Sequence, residues 1–414
     1  MTAPLDLSFV RSSFPALAGE WVYLDNAGGS QVPATVAEAV REYLLTANVQ
    51  HGASYEPSRR AMAAVEAGQR AVATLAGTED PAEILLGSST TVLMQNLARA
   101  MVAGGWLAPG DEVIVTDCDH EANAGPWRRL AAHGVVVREW RLDRESLRLR
   151  AEDLAQLLSP RTRLVAFTHC SNVVGSIHDV AALAALAHQV GARVVVDGVA
   201  FAPHRLVDVV ALGVDFYAFS LYKVYGPHLA ALWGRRDHFL ALGKLNHEFV
   251  GDDDVPYKLQ PGGPCYELAA ALPATLDYLV EVGRRAGAPG DAPPRAALAQ
   301  AFAALAAHEE SLAAPLLEFL RSRSDVRIVG DPSPERSQRA PTVSFVVAGR
   351  DSAEIVGRVD EHRIGIRFGH FYAKRLIDGL GLAPQNGVVR VSMVHYNTRE
   401  EIERLIAALA VVLG

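Results

Sequence analysis

Between residues 80 and 235 the chain alternates short apolar runs with amphipathic helical patterns, which restricts it to βαβ units built around a mostly parallel sheet. Candidate strands fall at 83–88, 112–117, 135–142, 163–169, 193–198, 215–220 and 229–234, each short and rich in apolar or β-branched residues. Between them, 90–101 and 179–191 carry apolar residues at helical spacing, and Gly191 stands where a C-cap is expected. A chain of 414 residues is too long for one compact core and implies a large domain with a smaller one. The Gly-, Pro- and Ala-rich stretch 285–295 reads as the connector. The expected division is therefore an N-terminal segment, 1–20, packed on the small domain, a large domain, 21–284, and a small α+β domain, 285–414. The last should hold a helix over 296–322, a strand at 342–349, a helix at 352–362 and a closing strand and helix within 387–413.

Several function classes are disfavoured by composition. The net charge of −8, from 39 basic and 47 acidic side chains, offers no field for nucleic acid or an anionic membrane. No stretch reaches the roughly 18 uninterrupted apolar residues of a membrane span, and the first twenty residues lack a basic segment followed by an apolar one, so a cytoplasmic location is expected. Cys118, Cys170 and Cys265 are scattered and form no CxxC pair, so neither a disulfide framework nor a metal site is expected.

In open parallel sheets, ligands bind outside the carboxyl ends of the strands. Asp197 closes the apolar run RVVVDG, where a carboxylate needs a cationic or proton-donating partner such as a protonated pyridine nitrogen; in isolation it reads equally well as a turn or capping residue. Lys223 lies in FSLYKVYGPH among Phe219, Leu221, Val224 and Tyr225. Desolvation there lowers the amine's pKa toward the range where it attacks carbonyls, although a lone lysine of this kind can simply snorkel from a loop. GSSTT at 87–91 joins a strand to a helix and offers hydroxyls and amides to a phosphate, or an ordinary N-cap. His120 follows another strand, where it can cover a planar ring or sit exposed in a turn. Ser171 and Asn172 can donate to a phenolate oxygen or merely shape a turn.

Taken together, YLDNAGGSQVP, GSSTT, DHEANAGPW, THCSNVVGS, VDGVAFAPHRLVDV, DFYAFSLYKVYGPHLAALWG, IRFGHFYA and GVVRVSMVHYNTREEIERL resemble the cysteine desulfurase-like branch of the class V aminotransferases. Those enzymes belong to pyridoxal 5′-phosphate (PLP) fold type I. The resemblance implies that Lys223 carries PLP as a Schiff base, Asp197 pairs with the pyridine nitrogen and His120 stacks on the ring. Asn172 would approach the phenolic oxygen, while Ser89, Thr90, Thr91 and Ser220 surround the phosphate, with Tyr222 beside the lysine. Arg390 would bind the α-carboxylate of an amino-acid substrate, a pairing that suits a planar guanidinium, and Arg367 would assist it or form a surface ion pair. Asn26, Ala27, Gly28 and Gly29 would close over the substrate. The segment 261–267, with Gly263, would reach the phosphate of a partner subunit, which implies a homodimer with shared active sites.

Three departures bear on the reaction. Tyr372 occupies the position of the desulfurases' persulfide cysteine, Tyr222 replaces a histidine found in many relatives, and Ala200 replaces a glutamine or histidine. The reaction expected is a C–S β-elimination without persulfide relay, in which Lys223 takes the Cα proton. Transamination, epimerisation, and cyclisation or substitution in secondary metabolism stay open, as does a catalytically silent PLP-fold binding protein.

Overall fold

A computed structural model describes residues 4–414. Its larger sheet contains β1 (Ile84–Gly87), β2 (Glu112–Thr116), β3 (Val136–Trp140), β4 (Thr162–Thr168), β5 (Arg193–Asp197), β6 (Phe216–Ser220) and β7 (Ala230–Gly234). Their order across the sheet is β1-β7-β6-β5-β4-β2-β3. Every expected strand forms, and β7 alone runs against its neighbours. The reversal follows from the short link between β6 and β7, residues 221–229, which cannot contain a crossover helix. As a result β1, β2, β4, β5 and β6 end at one edge of the sheet, and the link carrying Lys223 lies there too.

Alternate residues of these strands enter two separate cores. Leu86, Ile114, Val165, Val194, Val196, Tyr217 and Phe219 face one; Leu85, Val113, Val115, Ala166, Val195, Phe216 and Ala218 face the other. A sheet covered on both faces explains why its strands read as unbroken apolar runs rather than alternating ones. The covering helices include α1 (Ala34–Thr46), α2 (Glu56–Ala76), α3 (Thr90–Ala103), α4 (Glu121–Arg129), α5 (Val180–His188), α6 (Leu272–Arg285) and α7 (Pro294–Arg321). Helix α5 starts at Asp179, whose carboxylate accepts from the Ala182 N–H at 3.1 Å. It stops earlier than expected, with Gln189 as C-cap, and Gly191 takes its left-handed conformation (φ +77°) beyond the helix.

The C-terminal sheet is antiparallel, β10-β11-β9-β8, formed by β8 (Val326–Ile328), β9 (Thr342–Val347), β10 (Arg367–Gly369) and β11 (Val388–Ser392). It packs with α8 (Ser352–Asp360) and α9 (Arg399–Leu413), the latter begun by a Thr398/Glu401 capping box. Residues 286–293 form the turn between packed helices α6 and α7; a Cβ on Gly283 would lie 1.9 Å from the Ala297 carbonyl oxygen, so the helices touch through backbone. Helix α7 belongs to both cores: Ala297 to Leu305 join the larger, Leu312 to Leu320 the smaller. The N-terminal segment also touches both, with Val10 and Phe14 in the larger core and Arg11 paired to Glu401 at 2.8 Å.

Candidate active site

Chain segments after β1, β2, β4, β5 and β6 converge on an inner cavity lined by Ser89, Thr90, Thr91, Asp197, Ala200 and Ser220. It shares His120, Asn172, Tyr222 and Lys223 with an outer cleft of about 530 Å³ that also meets Ala27, Gly28, Arg367, Tyr372 and Arg390. Most of the residues singled out from sequence thus line one continuous space.

Lys223 follows β6 in a single helical turn and is 9 % exposed. Burial, reinforced by the positive charge of Arg390, pulls its pKa down to about 8. The loop is held from outside: the Ser30 N–H and hydroxyl both donate to the Tyr222 carbonyl at 3.1 Å, and the Tyr225 N–H donates to the Ser30 hydroxyl at 3.1 Å. Asp197 is buried at the end of β5, which pushes its pKa up to about 6; the Val199 N–H, 2.9 Å from Oδ1, and Lys223 act in the opposite direction. Among the described residues that N–H is the one hydrogen-bond donor to the carboxylate. Such a carboxylate, bordering an open cavity, suits a cationic heterocycle.

Burial, with Lys223 and Arg390 nearby, drops the His120 pKa to about 4, so the imidazole is neutral at physiological pH. Its Nδ1 accepts from the Ala122 N–H at 3.0 Å, which leaves the proton on Nε2. At the far end, Ser89 caps α3 by accepting from the Val92 N–H at 3.2 Å, and the Thr90 and Ser220 hydroxyls meet at 2.9 Å. Hydroxyls clustered at the start of a fourteen-residue helix make a phosphate cradle. An amine, a buried carboxylate and this cradle together fit PLP.

At the outer cleft, Arg390 is 2 % exposed and its guanidinium lies 3.7 Å from the centre of the Phe371 ring. Its Nη1 donates to the Asn172 carbonyl at 3.1 Å. Asn172 also donates from Nδ2 to the Phe371 carbonyl at 2.8 Å. Phe371 and Tyr372 both adopt left-handed backbone (φ +49° and +60°), a strain of about 1–3 kcal/mol for each such residue. The Glu121 N–H holds the Tyr372 carbonyl at 2.8 Å, and Arg375 pairs with Glu121, so the segment is tied to α4. Tyr372 is 68 % exposed and tilts against His120 with ring centroids 5.1 Å apart.

Asn26, Gly263, Gly29 and Ser171 line neither cavity. Asn26 is buried outside both cavities, and its side chain is engaged by the carbonyls of Tyr23 and Ser392 and by Asn397 and Tyr396. These bonds tie the segment 23–26 to the Ser392–Asn397 stretch. Gly263 is exposed and borders neither cavity of a single chain. Sequence reading missed Ser30, Phe371 and Asp25; the last lies inside the quoted YLDNAGG stretch, but nothing in the stretch reveals that its partner is 365 residues away.

The family model for aminotransferase class V matches residues 22–288 and 296–405. The chain belongs to the class V aminotransferase family. The chain is similar to the aminotransferase-like protein FGM3 of Gibberella zeae, 42% identical over 98% of both chains. The cysteine desulfurase-like protein ustD of Aspergillus flavus is 34% identical over 98% of this chain and 90% of that one. Among solved structures, the cysteine desulfurase CsdA of Escherichia coli superposes with a TM-score of 0.82 at 30% identity, covering 99% of this chain and 98% of the other. The fold is accordingly the α/β arrangement of PLP fold type I, and the chain is a PLP-dependent class V enzyme.

Proposed function

We propose that the chain binds PLP on Lys223 and cleaves the bond from Cβ to sulfur in an amino acid, releasing the sulfur directly rather than through a persulfide. Bound PLP supplies an aldehyde that takes up the substrate amine and a ring that accepts electrons from Cα. Arg390 holds the α-carboxylate, which orients Cα toward Lys223, and the Lys223 amine takes the Cα proton. The electron pair left at Cα expels sulfur from Cβ, and water converts the remaining fragment to pyruvate and ammonia. His120, neutral and with its proton on Nε2, covers the site from one side.

The observation that supports direct release is where the thiols lie. By the family resemblance Tyr372 stands at the persulfide position; Cys118 is buried and lines neither cavity, and burial pushes the Cys170 thiol at the inner cavity up to about 12, so it stays protonated at neutral pH. Cys265 is exposed and borders neither cavity. Incubated with a panel of amino acids, the enzyme is expected to yield pyruvate, ammonia and sulfide from cysteine. A keto acid retaining the substrate's side chain, without ammonia, would replace elimination by transamination. Cys265→Ala is expected to keep sulfide release within about twofold of wild type, as for most surface substitutions; loss of sulfide would restore a thiol relay.

The depressed Lys223 pKa has its own readout. Only the neutral amine attacks an aldehyde, so the rate of PLP uptake by the empty protein should rise with pH and level off above about 8, well below the range of an ordinary lysine. A rate still climbing steeply between pH 9 and 10 would count against a desolvated Lys223. We place Gly263 at a partner's phosphate within a cytoplasmic homodimer, as the family resemblance suggests.

A further inference from the structure

Asp25 lies between the two arginines of the cleft. Its Oδ1 accepts from Arg390 Nη2 at 2.9 Å, and its Oδ2 pairs with Arg367 Nε at 3.0 Å. We infer that Asp25 is a positioning residue for substrate recognition, holding Arg390 and Arg367 as a preassembled subsite for a single carboxylate. This rests on the PLP and amino-acid reading above.

Several constraints fix the aspartate. The Ser392 N–H donates to the Leu24 carbonyl at 2.7 Å and the Ala27 N–H to the Ser392 hydroxyl at 2.8 Å, so the backbone beside Asp25 is fastened to β11, the strand that carries Arg390. The bare Cα of Gly28 makes room for it: a Cβ there would approach Asp25 Oδ2 and its carbonyl oxygen at 3.1 Å.

Charge gives the arrangement its purpose. Arg390 is buried and Arg367 is 60 % exposed, and the positive charge of Arg367 disfavours that of Arg390. Without a shared anion, Arg367 would swing into water, and Arg390 would lose the partner that fixes its Nη2. Two guanidiniums and one carboxylate leave one net positive charge, enough to neutralise one substrate carboxylate. Arg390 borders the outer cleft, and Nη1 and Nη2 each spend one N–H, on the Asn172 carbonyl and on Asp25, so each keeps a second donor for that ligand. Asp25 therefore trades some of the arginines' charge for their orientation.

The test compares L-cysteine with cysteamine, which has the same amine and thiol but no carboxylate, by titrating the change in PLP absorbance of the loaded enzyme. In Asp25→Ala the half-saturating concentration of L-cysteine is expected to rise about tenfold or more while that of cysteamine stays nearly unchanged, as expected when a charge-assisted contact to the carboxylate is lost. Asp25→Asn, which keeps the shape and one acceptor, should fall between and covers the case of poor folding in the alanine variant. Equal shifts for both ligands, or none for either, would overturn the positioning role while leaving the functional reading intact. Wild-type protein that takes up no PLP would overturn both.

Discussion

Replacing Lys223 by alanine is expected to give a folded protein that loses the near-visible band of lysine-bound PLP, together with any signal bleached by borohydride, and whose turnover falls by at least about 10³-fold, since one amine serves as both anchor and base. The effect on folding should be small. The lysine is a buried amine held at a cost in charge solvation, as its lowered pKa records, and removing it leaves the clamp from Ser30 to Tyr222 and Tyr225 in place. Residues 216–218 of β6 stay paired on both sides, to β5 and β7, and Phe219 and Ser220 stay paired to β7. Absorbance before and after borohydride, with circular dichroism as the folding control, checks the outcome. A variant that still forms a borohydride-sensitive band would move the anchoring role to another amine and remove the basis of the proposed chemistry.

The fold was readable from the sequence where the physics is local and repetitive. Strands buried on both faces are apolar throughout, so the runs around Val194 and Val165 declared themselves, whereas α1 and α2, rich in alanine and charge, carry a weaker pattern and were not recognised. The reversed direction of β7 depends on the length of a link, a relation between elements rather than a property of either. At the site, Lys223 and Asp197 stood out because a charged side chain at the end of an apolar run demands an explanation. The bonding of Asn26 was illegible for the converse reason. Its glycine-rich neighbourhood suggested closure over a ligand, yet most of its amide's hydrogen bonds go to residues more than 360 positions away. The Asp25 bridge was hidden for the same reason, since its partners are Arg367 and Arg390.

Asp197→Asn should separate chemistry from stability in opposite directions. The amide keeps its oxygen for the Val199 N–H and leaves the cavity's shape unchanged, but removes the negative charge next to the cofactor ring. PLP uptake through Lys223 is expected to persist, while turnover falls by about 10²-fold or more, the scale lost when a preorganised electrostatic partner is removed. Without PLP the sign reverses. Burial raises the Asp197 pKa from 3.8 to about 6 in the folded chain, so between those values the native state holds more protons than the unfolded state, and stability falls as pH rises through the window. Above about 6 the ionised carboxylate costs the empty protein on the order of 3 kcal/mol, a burden the asparagine variant lacks. Melting curves of the two empty proteins should therefore diverge as pH goes from 4 to 7, with the variant the more stable at pH 7. If wild type melts at the higher temperature there, or if the difference between them is independent of pH, the aspartate is not the strained, desolvated anion that the site requires.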